Sequence, residues 1–328
     1  MSHTLTLEEL VRHPEITNVI VKHEPRRCGA AFVALERGGP ISIAYEVYGN
    51  GPIHLVFIMG LNGPRIAWHR QIKYFGIDRG DQFTVLVFDN RGVGDSDAPW
   101  ALKYSTSDMA KDTVELCDFL SWTKPKQLHV IGVSMGGMIA QELAYLIPDR
   151  VASLILQSTA AALVPTLPWH KHLLHRATML MPKTLPQRLA AAQRNLFSPS
   201  WLVKPDDHGV FPTNADRYVA EELWRLNDLK PPVIQGFLLQ GLAATWHYVG
   251  PDRLKTIGEK VDRIMVCTGT GDEMIEWGHS TRLVEGLRKG GNEVHYREWL
   301  GVGHVLSWEV EGEYNKMVEE FVTGAHRI

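Results

Sequence analysis

The stretch Leu128-His129-Val130-Ile131-Gly132-Val133-Ser134-Met135-Gly136-Gly137-Met138-Ile139-Ala140 carries two different periodicities on either side of one serine. Up to Val133 it is a short apolar, β-branched run of the kind a fully buried strand needs. From Met135 to Leu146 the apolar residues fall at helical spacing, and Pro148 ends the pattern. The change occurs within Gly132-Val133-Ser134-Met135-Gly136, a G-x-S-x-G sequence with a strand before it and a helix after it. So sharp a turn forces strained dihedrals on the serine and crowds the neighbouring backbone, so side chains at 132 or 136 would clash. It lifts the hydroxyl clear of the carboxyl edge of the sheet, beside the free N–H groups of a helix start. Ser134 is therefore the candidate nucleophile. The plain alternative is a glycine-flanked serine serving as an ordinary helix N-cap.

A serine hydroxyl is a weak nucleophile and needs a base held by a third group. On a strand–turn–helix nucleophile the acid and then the histidine are expected later in the chain, on loops after successive strands. Arg263 to Thr268 reads as a strand and leads into Gly269-Thr270-Gly271-Asp272. Glu293 to Trp299 reads as the next strand and leads into Gly301-Val302-Gly303-His304. Asp272 and His304 are the candidate acid and base. Asp272 has a competing reading as the cap of the following helix, and Glu273 and Glu276 are carboxylates close by. His304 has one as a surface loop residue. Among fifteen histidines, His279 on an expected helix and His295 in mid-strand fit the geometry less well. An oxyanion hole needs the N–H after the nucleophile, Met135, and a second from the turn after an early strand. Phe57-Ile58-Met59-Gly60-Leu61-Asn62-Gly63 is that turn, with Leu61 N–H the candidate donor.

Outward from these motifs, apolar runs at Ile53–Ile58, Phe83–Phe88 and Val151–Leu156 alternate with helical patterns around Trp68–Phe75, Ser107–Trp122 and Ser280–Lys289. Continuous apolar strands separated by helices predict a mostly parallel sheet covered on both faces. Ala31–Glu36 and Ile41–Val47, separated by Gly38-Gly39-Pro40, predict an N-terminal hairpin. The alternation lapses over residues 161–260, a stretch rich in proline and tryptophan with helical patches such as Ala220–Asn227. A hundred residues without strands is too long for a loop and predicts an inserted helical cap. The expected organisation is an N-terminal extension at 1–30, a core at 31–160 and 261–328, and a cap at 161–260. In the extension, Thr6 and Glu9 fit a capping box for a short helix near Leu7 to Arg12.

The chain of 328 residues has a formal net charge of -3, and its basic residues are scattered. That balance offers no pull toward nucleic acid or anionic membranes. Three cysteines, odd in number and far apart, form neither a disulfide framework nor a zinc motif. The N-terminus lacks the basic-then-apolar order of a signal peptide, and no apolar stretch approaches the roughly 20 residues a membrane span needs. A cytoplasmic protein is expected.

With these residues assembled, the chain resembles the α/β-hydrolase superfamily, in its esterase, non-haem haloperoxidase and C–C hydrolase-like branch. The resemblance runs from about Ile41 to Val322 and is weakest over 161–260. It is carried by Asp89-Asn90-Arg91-Gly92-Val93-Gly94-Asp95-Ser96, then Gly132-Val133-Ser134-Met135-Gly136-Gly137, then Asp272, then Gly303-His304. It implies the α/β-hydrolase fold, a Ser134–His304–Asp272 triad, and no metal or organic cofactor. It also implies that Asp89 to Ser96 is mainly a structural turn. One departure is Met59-Gly60 where relatives carry His-Gly, which alters what steadies the oxyanion turn. Ser134 argues against the chemistries of members with an aspartate nucleophile.

The expected function is hydrolysis of an ester, lactone or related carbonyl bond in a small to medium hydrophobic substrate, through an acyl-enzyme. Trp169, Trp201, Trp224, Trp246, Phe237, Tyr218, Tyr248, Met179 and Met181 supply an apolar inventory in the cap, although such residues more often pack a cap than touch a substrate. C–C bond hydrolysis and thioester cleavage use the same triad. A capped small-molecule receptor and a non-hydrolytic biosynthetic catalyst are the readings from other classes. The oligomeric state has no signal in the sequence.

Overall fold

A computed structural model describes residues 4–99, 103–163 and 183–325. In chain order its strands are β1 (Arg27–Val33), β2 (Ile41–Gly49), β3 (Ile53–Ile58), β4 (Phe83–Phe88), β5 (Leu128–Val133), β6 (Val151–Gln157), β7 (Arg263–Gly269) and β8 (Glu293–Trp299). The longer helices among the described residues, with one short N-terminal helix, are α1 (Leu7–Val11), α2 (Thr106–Phe119), α3 (Met135–Leu146), α4 (Leu185–Leu196), α5 (Asn214–Asp228), α6 (Ile234–Thr245), α7 (Pro251–Lys260), α8 (Trp277–Arg288) and α9 (Glu311–Thr323).

The strands form one sheet in the order β1-β2-β4-β3-β5-β6-β7-β8. β1 and β2 make the expected antiparallel hairpin, and β2 also runs antiparallel to β4. Every other pairing is parallel. The apolar runs are continuous because both faces of each central strand are covered. On β6, Leu154 and Leu156 enter the core shared with α2, α3, α7 and α8, while Ile155 points to the opposite core with Trp68, Phe75, Tyr314 and Phe321. Period two thus divides one apolar run between two layers.

The chain between β6 and α7 contributes helices and no strand among the described residues. A lone bridge between Ala162 and Tyr248, with Val249 N–H donating to Ala161 O at 2.8 Å, closes the base of this insertion. α7 was placed in the cap by the sequence reading, but it lies on the body. Its Leu254 and Ile257 join the body core, and Arg253 pairs with Glu142 of α3 at 2.5 Å.

The N-terminal segment packs on the insertion. α1 has the expected capping box at Thr6 and Glu9, and Leu10, Val19 and Ile20 are buried against Phe211, Ala220, Leu223 and Trp224. Leu5 N–H donates to Asp216 Oδ1 at 2.8 Å, and Arg217 Nη2 donates to Val19 O at 3.0 Å. β1 begins at Arg27, so the last residues of the expected extension already belong to the sheet.

Candidate active site

Ser134 stands between β5 and α3 with φ 57° and ψ -125°, a conformation that L residues rarely adopt. Its side chain makes no capping hydrogen bond to the helix, which sets aside the ordinary N-cap reading. The turn is clamped through the backbone. Ser134 N–H donates to Gln157 O at 2.9 Å, and Thr159 Oγ1 donates to Ser134 O at 2.7 Å. The two motif glycines are required by space: an added Cβ on Gly136 would lie 2.1 Å from Ile58 O, and one on Gly132 2.3 Å from Gly136 O.

Asp272 and His304 are brought together from the ends of β7 and β8. His304 Nδ1 lies 2.7 Å from Asp272 Oδ2, and both residues are buried. A carboxylate oxygen accepts, so Nδ1 is the donor of this bond and Nε2 is the ring nitrogen left facing away from Asp272. The other carboxylate oxygen, Oδ1, accepts from Met274 N–H at 2.8 Å and Ile275 N–H at 2.9 Å. Asp272 therefore both braces its own turn and holds the imidazole. Glu273 and Glu276 are exposed, His279 lies on α8, and His295 faces Glu293 on β8. Ser134 and His304 are not hydrogen-bonded to each other. Catalytic contacts of this type commonly tighten only when substrate is bound.

The His304 loop is held from the insertion. His304 N–H and Val305 N–H donate to Leu196 O at 2.9 and 3.3 Å. Glu309 Oε1 accepts from Gly303 N–H and from Ser198 N–H, each at 2.9 Å, and burial raises the pKa of this carboxyl above its ordinary value.

Met135 is the first residue of α3, and Leu61 packs partly buried beside it in the core. Neither backbone N–H has an acceptor among the described residues. The turn around Leu61 is steadied where relatives are expected to use a histidine: Asn90 Nδ2 donates to Met59 O at 3.0 Å, and Asn62 N–H donates to Gln240 Oε1 at 2.8 Å. Sequence reasoning missed both partners. Asn90 was visible inside a motif read as mainly a structural turn, whereas Gln240 sits on α6 with no local signal.

The Asp89–Ser96 segment is a structural turn, as expected. Asp89 is fully buried and accepts from Arg65 N–H at 2.6 Å and Asp95 N–H at 2.9 Å, while Ser96 Oγ donates to Asp89 O at 2.6 Å. Of the cap aromatics, Trp201, Tyr218 and Trp224 are buried in packing, Phe237 is half-buried, and Trp246 and Tyr248 are exposed. Trp169, Met179 and Met181 lie outside the described residues. Among the described residues no group of His, Cys, Asp and Glu side chains is arranged to hold a metal ion, and no helix is long and apolar enough to cross a membrane.

Comparison with known proteins shows the family to which this fold belongs. The model of the alpha/beta hydrolase fold family matches residues 53–309. The chain is 27% identical over 249 residues to a Variovorax paradoxus protein named "Putative carbamate hydrolase RutD", a match covering 74% of this chain and 84% of that protein. It is 28% identical over 163 residues to 3-oxoadipate enol-lactonase 2 of Acinetobacter baylyi, covering 49% of this chain and 57% of that one. A thermophilic esterase from Thermogutta terrifontis superposes with a TM-score of 0.70 at 22% identity, over 92% of this chain and 100% of its own.

Proposed function

The chain belongs to the α/β-hydrolase fold family and is one of its enzymes, and on that premise we propose that it is a serine hydrolase acting through Ser134, His304 and Asp272. The observation that carries this reading is the pairing of a strained serine at the end of β5 with a buried histidine–aspartate couple at 2.7 Å, delivered from the ends of β7 and β8.

In the proposed reaction His304 Nε2 takes the Ser134 proton as Oγ attacks the substrate carbonyl carbon. The C=O π pair moves onto oxygen, which the Leu61 and Met135 N–H groups stabilise. Asp272 stabilises the imidazolium and stays ionised. The tetrahedral intermediate collapses, the proton passes from Nε2 to the leaving oxygen, and an acyl-enzyme remains. Water, deprotonated by the same nitrogen, then attacks the acyl carbon and returns Ser134 to its free form. The bond class is an ester, a lactone or a related acyl carbonyl. This class is supported by what the names of the relatives have in common: a lactonase, an esterase and a carbamate hydrolase all act at such a carbon. A small to medium hydrophobic acyl or ring group is the substrate we propose, on the apolar and aromatic content of the insertion, whose Leu196 and Gln240 reach the His304 loop and the Leu61 turn.

The test is labelling with a fluorophosphonate probe, read by intact mass. Wild type is expected to gain one adduct, Ser134→Ala none, and His304→Ala to react at least about a thousandfold more slowly. An adduct retained in Ser134→Ala, or a folded wild type that does not react, would overturn the assignment.

A further inference from the structure

Gln240 lies on α6 of the insertion and is fully buried. Both ends of its amide are used. Oε1 accepts from Asn62 N–H at 2.8 Å, and Nε2 donates to Arg91 O at 2.9 Å. One side chain from the insertion therefore joins two body loops, and one of them is the turn that carries Leu61.

Each peptide unit around Leu61 is held by one bond. Asn90 Nδ2 holds Met59 O, Gly63 N–H donates to Gly60 O at 3.2 Å, and Gln240 holds Asn62 N–H. The first two holds come from the body, the third from the insertion. Asn62 has φ 55°, a conformation that needs support outside glycine. With three successive peptide planes fixed, Leu61 N–H has a fixed direction. With the third released, the peptide following Leu61 is free to rotate and the chain between Gly60 and Gly63 loosens. The Gly63 N–H to Gly60 O bond that holds the plane of Leu61 N–H is then weakened, so preorganisation of the donor is reduced.

The reach of Gln240 is set by how α6 sits. One turn earlier, Gly236 meets Gly92 backbone to backbone, and a Cβ on Gly236 would lie 2.0 Å from Gly92 O. Tyr104 Oη donates to Gly236 O at 3.3 Å and holds that close contact. Only an amide of this length offers both the acceptor and the donor. We infer that Gln240 is a positioning residue for the oxyanion hole, coupling the seating of the insertion to the direction of Leu61 N–H. This inference rests on the serine-hydrolase reading and deepens it: one side chain of the insertion is part of the proposed catalytic geometry.

The experiment uses the full chain with a fluorophosphonate probe and a p-nitrophenyl ester. Gln240→Met, nearly isosteric and without either hydrogen bond, is expected to label about ten- to a hundredfold more slowly and to lose kcat by a similar factor, with KM within about threefold and a melting temperature lowered by about a few degrees for the two partners left unpaired. Gln235→Met removes a different bond between α6 and the body, from Nε2 to Pro99 O at 3.0 Å, which reaches neither the Leu61 turn nor the Gly236–Gly92 contact, and is expected to keep kcat within about twofold of wild type. Should Gln240→Met fail to fold, Gln240→Ala, which makes no steric demand, is read by the same split between kcat and KM. The inference is overturned if the Gln240 variant labels at the wild-type rate, if its loss is in KM, or if Gln235→Met loses as much. Failure of the wild type itself to label at Ser134 would instead strike the underlying serine-hydrolase reading, so the two failures are distinguishable.

Discussion

One hydrogen atom at position 136 lets the turn that carries Ser134, the proposed nucleophile, lie directly against the end of β3 and the proposed oxyanion turn. A methyl group there would meet Ile58 O at 2.1 Å, and that atom is backbone, so it yields only if β3 moves. Overpacking of this kind costs about 1–3 kcal/mol. The displaced carbonyl is adjacent to Met59, where the oxyanion turn begins, so Gly136→Ala is expected to lose more labelling rate than its stability loss alone explains. Gly312, in the first turn of α9, has nothing within 4 Å of an added Cβ. Gly312→Ala is therefore expected to gain up to about 1 kcal/mol and leave the rate alone. Thermal melts and labelling rates of both variants check this. A Gly136→Ala protein with wild-type melting and rate would mean that the turn relaxes freely.

Among the elements, α5 has the most divided surroundings. Ala220, Leu223 and Trp224 face the N-terminal segment, Tyr218 packs with Phe197, Trp201 and Trp308, and Glu221 is buried against His69 and Arg70. Leu10 of α1, 2% exposed, fills the first of these surfaces. Leu10→Ala removes a buried leucine, a change worth about 2–5 kcal/mol where the gap does not close. The loss is expected to appear as faster amide hydrogen exchange in α1 and α5, with β5 and β6 unchanged; uniform loss of protection would contradict a local strap. This division also explains what was legible in the sequence. β5, α3, Asp272 and His304 were readable because each signal is local, a change of period or a residue placed directly after a strand. The capping box of α1 was equally local. The stretch from Pro14 to Cys28, by contrast, shows no strong period, and nothing local points to the partners of the N-terminal segment, which lie as far along the chain as Asp216 does from Leu5. α7 has an ordinary amphipathic pattern, and nothing in such a pattern says whether the surface beneath belongs to a cap or to the body.

Across the whole molecule, buried neutral histidines sit at the seams between layers and between body and insertion. His247 stands at the base of the insertion, beside the Ala162–Tyr248 bridge, with Nδ1 2.8 Å from Thr106 Oγ1 and Nε2 buried without a partner among the described residues. Burial, with the Arg253 cation adding to it, pushes its pKa down to about 3. Burial likewise pushes His69, at the contact with α5, and His129, on β5, down to about 4. An unfolded histidine titrates near 6.5. Each of these groups binds its proton more readily unfolded than folded, so its contribution to stability is complete above about pH 6.5 and is lost progressively as pH falls toward the folded values. The melting temperature is therefore expected to be level between about pH 7 and 8 and to decline below about 6.5. His247→Asn keeps an acceptor for Thr106 and cannot take up a proton, so the decline should be shallower in that variant. An equal decline in both proteins would assign the acid sensitivity to His69, His129 or the carboxylates. A shallower one would place it at the seam on which the insertion is hinged to the sheet.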